Sequence, residues 1–185
     1  MILSVVYNGG WRYAEAWDEM SQVIQEVMSG LHSECEEGRS YSPGDDAWFS
    51  FAAERHSDEN RVADNHLRLA VNHRTGYGSL VWFVNDKSPK KGGIYDSVWV
   101  SDNPEPPDFD PRVVSGPGYP LFHDPASTLP IAQVRAAVED FCRTGTGERP
   151  ECINWVPGEM NGQRYDRPPI MDFEEDPEID WESLK

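Results

Sequence analysis

Apolar residues recur along this chain at two spacings, every second position and every third or fourth, and the switches between them mark out strands and helices. Ile2 to Tyr7 is a β-branched run that stops at Asn8-Gly9-Gly10, which predicts a strand and a turn. Trp17, Met20, Val23 or Ile24, Val27 or Met28, and Leu31 then fall three to four apart, so a helix is expected from about Ala14 to Met28, ending at Ser29-Gly30. Residues 32–46 hold Glu34, Glu36, Glu37, Asp45 and Asp46 against Arg39, with Pro43-Gly44, and read as an acidic loop. Strands are expected over 47–54, over 67–71, where Leu67, Leu69 and Val71 alternate with polar or small residues, and over 79–84, a continuous apolar run suited to mid-sheet. Residues 85–93 form a basic loop with Lys87, Lys90 and Lys91, and 94–101 return as a strand with Tyr95 or Trp99 facing the core.

The stretch 126–156 predicts a helix followed by a strand. Ser127 or Thr128 is placed to cap the helix, and Pro130 sits in its first turn. Ile131, Val134, Val138 and Phe141 share one face, with Ala137 between them, and Gly145 supplies a left-handed stop. After the turn at 145–150, residues 151–156 alternate as a strand. The expected fold is therefore a single α+β domain: a mainly antiparallel sheet of five or six strands, with two helices near 14–28 and 129–144 packed on one face. The domain is expected to occupy 1–157 and an acidic C-terminal tail 158–185. From Asp172 that tail carries seven acids against Lys185, which suits a solvated terminus, although Ile170, Phe173, Ile179 and Trp181 could dock it.

One segment fits neither period. Residues 102–120 hold six prolines and the acids Asp102, Glu105, Asp108 and Asp110 against Arg112, so neither a helix nor a central strand can run through them. A long, stiffened loop with Phe109 between two aspartates has the character of a binding loop.

Charge narrows the partners. Sixteen basic residues against thirty-three acidic ones leave a formal net charge of −17. Bare nucleic acid and anionic membranes meet a repulsive field, and a basic protein partner is favoured. Cys35, Cys142 and Cys152 are too few and too irregular for a disulfide scaffold; a Cys142 to Cys152 bridge is conceivable, but free thiols are the expected state. The N-terminal apolar run is shorter than a signal segment and no stretch is long enough to span a bilayer, so a cytoplasmic location is expected.

Motifs for catalysis are missing: there is no G-x-S-x-G, H-E-x-x-H or P-loop. The five histidines, His32, His56, His66, His73 and His123, are scattered singly. His32-Ser33-Glu34 matches the H-x-E half of a zinc deaminase signature, but the P-C-x-x-C half is absent, because Pro150-Glu151-Cys152 displaces its cysteine and no second one follows. No catalytic, metal or cofactor residues are expected. A carboxylate-based hydrolase stays as an alternative, since with so many acids some pair is always available.

Gly76-Tyr77-Gly78-Ser79-Leu80-Val81-Trp82, the proline-rich segment, Pro125-Ala126-Ser127, the run Leu129 to Val138, and Arg149-Pro150 leading to Trp155 together resemble the immunity proteins called Imm, family one. The resemblance covers roughly residues 66–157. It implies an α+β fold without catalytic activity, and one-to-one binding to a cognate toxin, typically a nucleic-acid deaminase, whose active site is blocked. Trp82 and Trp155 read as core residues. A toxin acting on nucleic acid needs a basic cleft, to which a chain of this charge is drawn. Asp102, Glu105, Asp108 and Asp110 are the expected partner-binding acids, with Phe109 as apolar anchor. The remaining alternative is an acidic DNA mimic that inhibits another basic nucleic-acid enzyme. A neighbouring reading frame ending in H-x-E and P-C-x-x-C would favour the toxin pairing.

Overall fold

The computed structural model describes residues 1–37, 40–86, 88–90, 97–116 and 121–168. In chain order these form β1 (Ile2–Tyr7), β2 (Gly10–Ala14), α1 (Trp17–Gly30), β3 (Ser33–Glu37), β4 (Ser40–Gly44), β5 (Asp46–Ala52), β6 (Asn65–Asn72), β7 (Tyr77–Val84), β8 (Val98–Asp102), β9 (Val114–Gly116), β10 (Leu121–Phe122), a 3-10 turn (Pro125–Ser127), β11 (Leu129–Pro130), α2 (Ile131–Thr144) and β12 (Asn154–Pro157). The main sheet runs β12-β8-β7-β6-β5-β1-β2, with β11 paired to β7, and its pairings are antiparallel. The fold is α+β with two helices, as expected, on a sheet of eight strands. Its extra members are short: β2 follows a two-residue turn in which Asn8 and Gly9 both have positive φ, 49° and 67°, and β11 runs directly into α2.

Strand register places Val5, Phe49, Leu67 and Trp82 side by side across four neighbouring strands. This row carries the apolar face on which both helices lie. Ile24 and Val27 of α1 and Val134, Val138 and Phe141 of α2 are wholly buried in the same cluster, and Phe141 meets Phe51 at 5.3 Å between ring centroids. Burying each such side chain stabilises the fold by about 1.5–3 kcal/mol. Gly78 lets α2 approach closely: a Cβ there would stand 2.7 Å from the Ala70 carbonyl oxygen and 3.2 Å from the Val134 side chain.

Several expectations change at local detail. Ser33–Glu37 and Ser40–Gly44 pair as the β3–β4 hairpin rather than lying in an open loop. Helix α1 starts at Trp17 because Ala14 is held in β2 opposite Leu3. Ser127 and Thr128 do not cap α2, whose N-cap is Pro130; they are buried at the 3-10 turn, where Asp124 is the cap. Gly145 ends α2 at φ 61°, as the sequence predicts. All three cysteines are free, with Cys142 buried.

The opposite face is roofed by the proline-rich segment and by residues 158–168. Val113 and Val114 pack on Ala70, and Asn72 at the end of β6 donates to the Pro111 and Arg112 carbonyls at 3.0 and 3.1 Å. Residues 158–168 turn back through a Gly158–Arg164 bridge, and Arg68, itself paired with Asp46 at 2.9 Å, donates to the Met160 carbonyl at 2.7 Å. The expected start of the tail at 158 thus falls in a stretch that folds onto the sheet. The acidic run from Asp172 lies outside the described residues, as do Lys87, Lys91 and Tyr95.

Candidate functional site

The loop from Asn103 to Arg112 is fastened at both ends, and the fastenings follow from its composition. Proline rigidity restricts the backbone between the ends, while polar side chains at the ends supply the hydrogen bonds a coil cannot make for itself. At the entry, Asn103 donates from its backbone to the Ala126 carbonyl at 2.8 Å and from its side chain to the Thr128 carbonyl at 2.7 Å, and its own side-chain oxygen accepts from the Glu105 N–H at 3.0 Å. At the exit, Asn72 and Thr75 hold the Pro111 carbonyl, and Asp110 accepts from the Arg112 N–H at 2.8 Å. Arg112 adopts φ 49°, a left-handed conformation that costs a side-chain-bearing residue on the order of 1 kcal/mol and persists only where neighbours impose it.

Those neighbours are explicit. The Arg112 guanidinium forks onto Glu34 of β3, with Nε to Oε2 at 2.6 Å, and lies over the Phe122 ring at 4.1 Å. Tyr41 of β4 donates its hydroxyl to the same carboxylate at 2.8 Å. The hydrogen bond from Arg112 holds the Glu34 carboxyl below the usual range, and Glu34 in turn raises the Arg112 pKa.

The expected contact residues divide into two groups. Glu105, Asp108, Phe109 and Asp110 are all exposed on the outer run of the loop. Phe109 leaves 47% of its surface in water while its ring meets Tyr77 edge to face at 5.7 Å, so the ring is both presented and braced. Glu105, Asp108 and Asp110 make no ion pair among the described residues. Asp102 stands apart: it ends β8, is half-buried, and pairs with the buried Arg164 at 2.9 Å. Arg164 also donates to the Ala126 carbonyl at 2.8 Å and pairs with Asp166, so the Asp102 charge is partly spent on closing the roof over the sheet.

Sequence reasoning passed over Tyr41, Asn72 and Arg164, and weighed Glu34 only as one acid of residues 32–46 and as part of the H-x-E match. Asn72 carried a faint signal, a polar residue closing an apolar strand before a turn; nothing local tied Glu34 to its cation, since Arg112 lies far along the chain.

Two of the hollows elsewhere are lined by several aromatic rings. One of about 850 Å³ is lined by Trp82, Trp99, Trp155 and Arg149, whose guanidinium sits 3.8 Å above the Trp99 ring. Trp82 is buried and donates its indole N–H to the Gly147 carbonyl at 3.1 Å, while Trp155 is half-buried and bonded to the Pro150 carbonyl at 2.7 Å. The second, about 400 Å³, is lined by Trp11, Trp48, His56 and His66. Burial, helped by nearby His56, lowers the His66 pKa to about 4, so its imidazole is neutral at pH 7. Among the described residues, no three His, Cys, Asp or Glu side chains come together to hold a metal ion, and no helix is long and apolar enough to cross a membrane.

Fixed backbone, exposed charge and one braced ring equip a protein that works by gripping another macromolecule. Comparison with family models gives that class its place. Residues 8–157, well over half the chain, match the model described as Immunity protein Imm1, and the chain belongs to that family. No curated protein and no solved structure matches it significantly. Membership makes the chain an immunity protein, an inhibitor of a cognate toxin rather than an enzyme.

Proposed function

We propose that the toxin carries a nucleic-acid deaminase at its tip and that this protein occludes the deaminase active site as a one-to-one complex, without cofactor, in the cytoplasm. The observation that carries the reading is the braced, outward-facing acidic loop. An enzyme that acts on DNA or RNA exposes a basic cleft to phosphate, and exposed carboxylates around a half-exposed aromatic ring complement such a cleft. Glu105, Asp108 and Asp110 meet the toxin's cations and Phe109 enters the apolar centre; Asp102 sets the root of the loop through Arg164. Holding the loop at both ends before binding lowers the ordering cost on association.

The test uses the tip domain of the toxin encoded in the adjacent reading frame. Base conversion on a single-stranded substrate should fall to background at one equivalent of this protein, with substrate and inhibitor mutually exclusive. A ternary complex of toxin, inhibitor and nucleic acid would overturn occlusion, and a tip domain without base-converting activity would overturn the deaminase assignment.

A further inference from the structure

We infer that the β3–β4 hairpin belongs to the toxin-binding surface as well, with Tyr41 as a second aromatic anchor, and that the Arg112–Glu34 pair is the joint setting the two anchors in register. This rests on the loop reading above and extends it to a part of the chain remote in sequence. A two-stranded hairpin is marginal by itself. This one is closed at its base by the Asp45 N–H donating to the His32 carbonyl at 3.0 Å, and it is fastened to the body by the Ser33 hydroxyl accepting from the His73 N–H at 2.7 Å and by Glu34 meeting Arg112. The fork is therefore the direct link between hairpin and loop.

Tyr41 and Phe109 are each 47% exposed, so both rings are open to a partner, and each is held by a neighbour rather than left loose. Both are tied to the same joint: Tyr41 through its hydroxyl on Glu34, Phe109 three residues before Arg112 and braced on Tyr77. Arg112 holds a left-handed conformation in making that joint, and backbone strain of this kind persists where the surroundings over-determine it and clusters at functional positions. Charge points to the same occupant. Glu34 neutralises the cation at the joint, and Asp108 and Asp110 make no ion pair among the described residues, so the surface between the anchors offers a basic toxin face no net repulsion.

Charge and geometry predict opposite signs for one substitution. Arg112→Gln removes a positive charge, so electrostatics alone would speed and tighten binding to a basic partner. As a positioning residue, Arg112 should instead give weaker binding on substitution, about tenfold, with faster dissociation and the helices and main sheet still folded by circular dichroism, because the pair ties the hairpin to the loop and lies outside the main core. Tyr41→Ala should weaken binding by about tenfold with folding intact, measured by surface plasmon resonance against the catalytically inactivated tip domain. Affinity within twofold of wild type for Tyr41→Ala, while Phe109→Ala weakens it, removes the hairpin and leaves the loop reading standing. Loss with Tyr41→Ala but none with Phe109→Ala overturns the loop reading instead. Unchanged or tighter binding by Arg112→Gln ends the proposed joint.

Discussion

Asn72 and Arg112 illustrate how a polar side chain decides where a loop can go. Buried to 3% exposure, the Asn72 amide would lose about 1–3 kcal/mol if left unpaired, and the two carbonyls at the loop exit are the partners it finds. His66 shows the converse, a titratable ring kept in a setting that refuses its proton. It stacks on Phe83 at 4.7 Å with the planes 24° apart, and its pKa is pushed down from 6.5 to about 4 by burial first and His56 second. In the unfolded chain the ring protonates near pH 6.5, so below that pH the unfolded state takes up a proton that the folded state declines. Stability is therefore complete above about pH 6.5 and drains away as pH falls toward 4, by at most about 3 kcal/mol for this residue. His123, fully enclosed and pushed down to about 3, acts in the same direction. The urea midpoint should fall between pH 7 and about pH 5, before most carboxylates titrate, and His66→Phe should remove part of that slope and leave the His123 share. A wild-type midpoint that stays level over the window would contradict the buried, neutral assignment.

Helix α1 begins with half a cap. Glu19 reaches back to accept from the Glu15 and Ala16 N–H groups at 2.9 and 3.3 Å, but Ala16 at the N-cap has no oxygen to return the bond. Ala16→Ser should supply the missing acceptor and raise stability by about 1 kcal/mol in urea unfolding without touching the loop or the hairpin. No gain would mean that the first turn is already satisfied by water. Both helices and the central strands were legible because their periodicities agree with what they bury: Val134, Ala137, Val138 and Phe141 form one stripe, and residues 80–84 are apolar throughout because β7 is covered on both faces. The β3–β4 hairpin was not, because its acids suppress any alternating apolar signal and its stability comes from Arg112 and His73, far along the chain. β2 was obscured by its length, and the mistaken caps of α2 arose because Thr128 bonds to the Pro125 carbonyl instead of the helix. The loop's composition announced an exposed segment, yet the pairing of Asp102 with Arg164 depends on a return of the chain that no local pattern records.

A net charge of −17 on 185 residues acts at distances where no single contact does, and its first effect is on how fast a basic partner arrives. Within the Debye length, about 8 Å at physiological salt, only charges near the docking patch orient the encounter. Glu105, Asp108 and Asp110 are exposed and make no ion pair among the described residues, whereas Asp102 faces Arg164 and contributes less outward field than its formal charge suggests. Converting those three to amides should slow association with the toxin tip domain at low salt and make the fall of the association rate with added salt shallower, while dissociation changes little. Phe109→Ala should do the opposite, speeding dissociation and leaving the salt dependence intact, because a ring seated in an apolar pocket contributes after the encounter. Stopped-flow association across a salt series separates the two. If the triple amide variant associates as fast as the wild type at low salt, the steering field lies elsewhere on the acidic surface, and the loop would hold its partner by shape alone.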